Sequence, residues 1–192
     1  MKEIITEQVA LAVQVLRKGG VILYPTDTVW GIGCDATNAA AVERIYALKQ
    51  SAEKKSMLVL VASPEQAVRY TNHVPSVAWD LMEMTDKPLT LILPGAAGVA
   101  DNLVPDEGTL GIRVPNDDFC QTLLRRFGRP VVSTSANITG EESPARFGDI
   151  AKEIFAGVDM VVDPACESRE ATHRPSSVIM IGSGGEIKII RE

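Results

Sequence analysis

Hydroxyl, amide and cationic side chains recur in this chain just past the ends of apolar runs: Thr26/Asp27/Thr28, Lys49, Arg113, Ser133/Ser135/Asn137 and Ser176/Ser177. In Pro-Thr-Asp-Thr-Val-Trp-Gly (25–31), two threonine hydroxyls and a carboxylate follow the run Val21–Tyr24, where strand ends of open α/β sheets commonly line a ligand crevice. Arg113 stands in Leu-Gly-Ile-Arg-Val-Pro, where strand alternation sends Ile112 and Arg113 to opposite faces. A guanidinium there suits a carboxylate or a phosphate through two parallel hydrogen bonds. Ser-Thr-Ser-Ala-Asn (133–137) offers hydroxyls, an amide and backbone N–H groups, a cradle for phosphate or ribose. Each cluster also has a plainer use: turn capping for the serines, a surface ion pair for Arg113, a helix-dipole cation for Lys49.

The chain lacks Gly-x-x-x-x-Gly-Lys-Ser/Thr, Gly-x-Gly-x-x-Gly, Gly-x-Ser-x-Gly and any Cys/His pair at nucleophile spacing. The chemistry these residues support is therefore positioning and charge stabilisation of an anionic ligand, without a covalent side-chain nucleophile.

The elements that must hold these residues alternate between strand and helix patterns. A helix capped by Thr6 carries Val9, Val13 and Leu16 on one side and ends at Gly19-Gly20. After the strand Val21–Tyr24, a helix runs from Thr37 or Asn38 to Lys49, followed by a buried strand over Met57–Ala62. Ser63-Pro64-Glu65 opens a helix with proline at its first position, and another covers Ser76–Met84. Strands over Leu89–Leu93 and Leu110–Val114 lead to a helix opened by Asn116-Asp117-Asp118 and closed by Gly128. Then come a strand at Val131–Thr134, a helix at Asp149–Phe155 and a strand at Met160–Val162. Residues 163–175 read as a polar loop long enough to be a mobile lid. Val178–Ile181, a Gly-Ser-Gly-Gly turn and Ile187–Ile190 form a hairpin signature. The pattern is that of a single α/β or α+β domain spanning residues 1–192, with a mixed sheet.

The 192 residues suffice for a substantial core, and 45% of them are apolar. No apolar stretch approaches the roughly 20 residues of a membrane span, and the N-terminus has no secretory pattern. Cys34, Cys120 and Cys166 are odd in number and widely spaced, the usage of reduced cytosolic thiols, and no metal-ligand spacing is present. A cytoplasmic location follows as an expectation. The net charge of −6 argues against indiscriminate nucleic-acid binding.

Taken in order, Pro-Thr-Asp-Thr-Val-Trp-Gly, the lysine after Ile-Tyr-Ala-Leu, Lys-Pro-Leu-Thr-Leu-Ile-Leu, Gly-Ile-Arg-Val-Pro, Ser-Thr-Ser-Ala-Asn-Ile-Thr-Gly and Arg-Pro-Ser-Ser-Val resemble the YrdC-like threonylcarbamoyl-adenylate synthases over about residues 7–191. The resemblance implies a twisted mixed sheet flanked by helices, with a positively charged concave cleft. It implies a nucleotidyltransferase that makes threonylcarbamoyl-adenylate from L-threonine, bicarbonate and ATP with magnesium, releasing pyrophosphate. That product serves threonylcarbamoyladenosine formation on tRNA, which implies tRNA or tRNA-modification proteins as partners. Carried over by motif, Thr26 or Thr28 faces threonine, Arg113 takes its carboxylate, and Ser133 and Ser177 line the same pocket. Lys49 contacts the ATP phosphates as the catalytic cation, while Thr109, Ser135, Asn137 and Ser143 hold the nucleotide and Arg191 closes over it.

The chain departs from the family where Lys-x-Arg becomes Lys49-Gln50-Ser51, and where Trp-Pro-Gly-Pro-Leu-Thr becomes Thr85-Asp86-Lys87-Pro88-Leu89-Thr90. Lys54 and Lys55 are the candidates to supply the missing charge, although an ammonium does not reproduce a forked contact. Two other functions suit the same fold: a non-catalytic RNA-binding protein, and a carbamoyl-adenylate enzyme with another substrate, as in hydrogenase-maturation proteins.

Overall fold

A computed structural model describes residues 2–51 and 57–192. The first helix, α1 (Lys2–Arg17), buries Ile5, Val9, Ala12, Val13 and Leu16 along one stripe. It starts earlier than its sequence signal: Thr6 is no cap, and its hydroxyl donates to the Lys2 carbonyl one turn back. At the other end Gly19, at φ 77°, ends the helix in the left-handed conformation. Strand β1 (Ile22–Tyr24) follows, then β2 (Gly31–Gly33) and α2 (Ala39–Leu48), capped by the Asn38 side chain. Next come β3 (Leu58–Leu60), the short α3 (Pro64–Ala67) capped by Ser63, and α4 (Ser76–Met84). Strands β4 (Leu89–Pro94) and β5 (Thr109–Arg113) precede α5 (Asp118–Phe127), which Asp117 caps and Gly128 ends. The chain finishes with β6 (Val131–Ser135), α6 (Lys152–Gly157), β7 (Met160–Val161), β8 (Ser177–Ile181) and β9 (Ile187–Arg191).

One mixed sheet orders these strands β7-β1-β2-β6-β3-β5-β4-β8-β9. The pairs β1–β7, β3–β5 and β4–β8 are parallel and the others antiparallel, and β8–β9 is the expected hairpin. No described helix is long and apolar enough to cross a membrane, and Cys34, Cys120 and Cys166 are buried free thiols.

Register divides the two faces. Ile32, Val59, Leu91, Ile112 and Val132 point to one face and join Ala41, Val42 and Ile45 of α2 in a continuous core. On the other face, α1 and α5 pack over Ile22, Tyr24, Leu60 and Val131. The remainder of that second face, carrying Gly31, Leu58, Gly111, Ser133 and Ser135, opens into the cleft.

No local sequence signal marks strand β2, because Gly-Ile-Gly has little intrinsic strand preference. Its glycine is a packing requirement: a Cβ on Gly33 would sit 2.3 Å from the Val132 carbonyl oxygen and 2.7 Å from the Tyr24 ring. The helix expected at Asp149–Phe155 is a 3₁₀ turn, Phe147–Asp149, followed by α6.

The 163–175 segment is not a free lid. Pro164–Cys166 is a 3₁₀ turn, Cys166 and Ala171 are buried, and hydrogen bonds to distant parts of the chain tie the segment down. The Trp30 indole N–H donates to Glu167 at 3.0 Å, and the Thr172 N–H donates to the Asp27 carbonyl at 3.0 Å. A buried indole requires such a partner, and Glu167 supplies it.

Gly33→Ala should destabilise the protein by about 1–3 kcal/mol through overpacking against backbone. Denaturant midpoints of the two proteins check this, and an unchanged midpoint would mean that β2 shifts freely.

Candidate functional site

The cleft narrows to a cavity of about 270 Å³ on the open part of the sheet. Thr28, Lys49, Arg113, Ser133, Ser135, Asn137, Ser143 and Arg191 all reach its lining, as their sequence assignments require. Among the described residues, no carboxylate lines it.

Lys49 is the C-cap residue of α2, yet its side chain leaves its own helix end. The ammonium donates to the carbonyls of Ser135 and Asn137, both at 2.6 Å. Its backbone carbonyl accepts the Thr139 N–H at 2.9 Å, so the end of α2 and the loop after β6 are joined twice. The residue is only 6% exposed, and no described carboxylate lies within ion-pair distance. Burial pushes its pKa down to about 8. An ammonium has three N–H groups, so one is left for a ligand in the cavity.

Arg113 follows a different design. Ile112 enters the core while Arg113, 3% exposed, turns to the cavity, as alternation required. One guanidinium nitrogen, Nη1, donates to Asp27 Oδ1 and to Thr28 Oγ1 at 3.1 Å. Its Nε has no protein partner. The hydroxyls extend this chain of bonds: Thr26 Oγ1 donates to the Val29 carbonyl at 2.9 Å and stands 2.8 Å from Thr28 Oγ1. Because Thr26 spends its one proton on Val29, Thr28 donates to Thr26. Toward the cavity Thr28 therefore offers an acceptor only.

Three of the assigned residues do not line this cavity. Thr26 lies behind Thr28, its hydroxyl satisfied by protein, and does not line the cavity. Ser176, not Ser177, reaches the cavity, and its hydroxyl pairs with Thr90 at 2.8 Å. The Ser177 N–H instead bonds to Pro88 at the start of the β4–β8 pairing. Thr109 lines an adjacent hollow of about 280 Å³ together with apolar Met57, Leu58, Ile92 and Leu103. Arg191 and Leu58 line both spaces. The Arg191 guanidinium donates through Nε and Nη2 to the Ser176 carbonyl at 3.0 and 2.7 Å. Burial, and then the nearby Arg113 charge, lower its pKa.

Thr139 and Gly140, together with Val29, Gly31, Leu58, Thr134 and Pro175, also line the wall without a role assigned from the sequence. The first two belong to Ser-Thr-Ser-Ala-Asn-Ile-Thr-Gly, so that motif carried their signal.

Ser51 does not reach the lining. Gln50 takes a left-handed conformation at φ 52°, and the N–H groups of Gln50 and Ser51 bond to Ala47 and Tyr46. This cap turns the chain out of α2 immediately after Lys49. Lys54 and Lys55 lie outside the described residues. Among the described residues, the cavity's cations are Lys49, Arg113 and Arg191.

The buried ammonium makes a pH signature. A folded pKa of about 8 against an ordinary 10.5 means that the folded state binds this proton more weakly than the unfolded state. The cost of burying the charge is complete below pH 8 and fades as pH rises to 10.5. The stability difference between the natural protein and Lys49→Met should therefore move in favour of the natural protein across that window. A neutral amine still donates to both carbonyls, whereas methionine leaves them unpaired at every pH. Denaturation midpoints at pH 7 and 10 measure the shift, and a pH-independent difference would contradict it.

Known proteins place this geometry. The Sua5_yciO_yrdC family model, described as "Telomere recombination", matches residues 14–192. A protein named threonylcarbamoyl-AMP synthase from Idiomarina loihiensis is 32% identical over 166 residues, covering 84% of this chain and 87% of that protein. E. coli YciO superposes with a TM-score of 0.82 at 29% identity, covering 96% of this chain and 88% of YciO. P. abyssi Sua5, solved in complex with L-threonine, superposes with a TM-score of 0.81 at 28% identity. That likeness covers 90% of this chain, which spans about half (50%) of the P. abyssi protein. The family model spans most of the chain, and the chain belongs to the Sua5/YciO/YrdC family.

Proposed function

We propose that this chain is a nucleotidyltransferase that makes threonylcarbamoyl-AMP from L-threonine, bicarbonate and ATP, with release of pyrophosphate. One observation carries the reading: Lys49 and Arg113 face one cavity that no described carboxylate lines, and among the described residues the first has no acidic partner and the second has one. Relatives named threonylcarbamoyl-AMP synthase and a Sua5 structure holding L-threonine support it.

In this reading the amino-acid carboxylate pairs with the free edge of Arg113. Thr28 accepts a bond from the substrate's hydroxyl or amino group, beside Ser133. The nucleotide's phosphates lie against Lys49, Ser135, Asn137 and Ser143. Arg191 stands between them and the apolar hollow of Thr109, which suits a base. The neutral threonine nitrogen attacks the bicarbonate carbon to form a carbamate with loss of one water molecule, and a carbamate oxygen then attacks the α-phosphorus. The P–O bond to pyrophosphate breaks as the new one forms. Negative charge grows on the phosphoryl oxygens and the leaving group, where the fixed Lys49 ammonium stabilises it. An anion beside Lys49 also favours its charged form.

The donor set does not fit a protein-held metal. Among the described residues no carboxylate lines the cavity, and no group of three acidic, histidine or cysteine side chains is placed to hold a metal ion. Magnesium, which phosphate oxygens and water commonly hold, belongs to the nucleotide in this reading. Use of the product on tRNA, contact with tRNA or tRNA-modification proteins, and a cytoplasmic location belong to the same proposal.

Incubating the protein with ATP, L-threonine and labelled bicarbonate should give labelled threonylcarbamoyl-AMP and pyrophosphate, both requiring all three substrates. Pyrophosphate release indifferent to threonine and bicarbonate would sink the reading. In the same assay, Arg113→Lys should raise the threonine concentration for half-saturation at least about tenfold, with a smaller effect on the saturated rate. A point charge replaces a fork on the carboxylate, and the bond to Thr28 is lost. A change confined to ATP affinity would move Arg113 to the phosphate side.

A further inference from the structure

We propose that Asp27 is a positioning residue that makes the Arg113 end of the cavity selective for a single carboxylate and keeps polyphosphate at the Lys49 end. The inference rests on the synthase reading for the identity of the carboxylate ligand, but not for the sorting of anions.

Asp27 does not line the cavity. It is 6% exposed and held on three sides: Oδ1 by Arg113, Oδ2 by the Asn116 N–H at 3.0 Å, and its carbonyl by the Thr172 N–H at 3.0 Å. The carboxylate therefore cannot swing away from the guanidinium. Arg113 thus meets a ligand with hydrogen-bond donors to spare but with its charge already matched. Such a site favours one flat carboxylate, which needs directional donors, over a multiply charged phosphate, which needs net positive charge.

The opposite end is built the other way. Lys49 donates to backbone carbonyls and has no carboxylate partner among the described residues. Its charge remains available to polyanions. The two ends are also separated along the strands. Arg113 lies level with Leu60 and Val131, whereas Ser135, which holds Lys49, is four residues further along β6. At roughly 3.3 Å per residue the two backbone positions are about 13 Å apart along the strands. A ligand pair with one carboxylate and one polyphosphate therefore enters in a single orientation.

The test compares the natural protein with Asp27→Asn and Asp27→Glu, using inorganic pyrophosphate as the probe in isothermal titration calorimetry. Asparagine keeps an oxygen for the Asn116 N–H but leaves Arg113 uncompensated. The natural protein should bind one pyrophosphate that leaves threonine affinity unchanged. Asp27→Asn should bind a second pyrophosphate, and that binding should weaken threonine at least about tenfold by competition for Arg113. Asp27→Glu, which keeps the charge, should return to one. One pyrophosphate in folded Asp27→Asn overturns the proposal. So does displacement of threonine by pyrophosphate in the natural protein, a result that depends on no variant folding. If threonine does not bind but the stoichiometry rises from one to two, the sorting stands and the synthase reading fails.

Discussion

The bond from the Lys49 ammonium to the Ser135 and Asn137 carbonyls is the constraint around which the cleft is organised. Burying an ammonium away from carboxylates is unfavourable, and the lowered pKa registers that cost. A salt bridge would have relieved it but would also have neutralised the charge. Carbonyl oxygens relieve part of it and leave the charge in place. They also fix the loop after β6 against the end of α2, which sets Ser135, Asn137 and the turn at Thr139 where a polyanion can meet them.

Arg113 solves the same problem oppositely, because a guanidinium with five N–H donors can give some to Asp27 and Thr28 and keep others. Both solutions require a sheet whose second face is only half covered. Helices α1 and α5 close one half, and the other half carries glycines and serines in place of large apolar residues. The opposite face is continuous core and supplies the rigidity against which the cations are held.

Much of this was legible in the sequence because its causes are local. Gly19, Gly128, Asn38, Ser63 and Asp117 mark helix ends by backbone conformation or capping, and the structure uses each in that role. Apolar runs located every strand except β2, whose glycines answer to Val132 and the Tyr24 ring, distant in sequence. The site residues sorted by the same rule. Lys49, Arg113 and the 133–137 hydroxyls follow from motif position and alternation. The choice of Thr28 over Thr26 depends on where one hydroxyl proton goes, and the choice of Ser176 over Ser177 on where β8 begins to pair. The docking of 163–175 depends on Trp30 and Asp27, which lie far from it in the chain. Nothing local in a polar loop announces such partners.

Among the described residues the cavity's positive charge comes from Lys49 at the helix end, Arg113 on the sheet and Arg191 from the terminal hairpin. The account stands or falls on two anions occupying two separate ends of one cavity. The most direct measurement is a crystal structure of the protein with L-threonine and a non-hydrolysable ATP analogue. The account expects the threonine carboxylate on Arg113 and the triphosphate on Lys49 and the 135–143 loop. A triphosphate seated on Arg113, or a threonine carboxylate bound to Lys49, would contradict it.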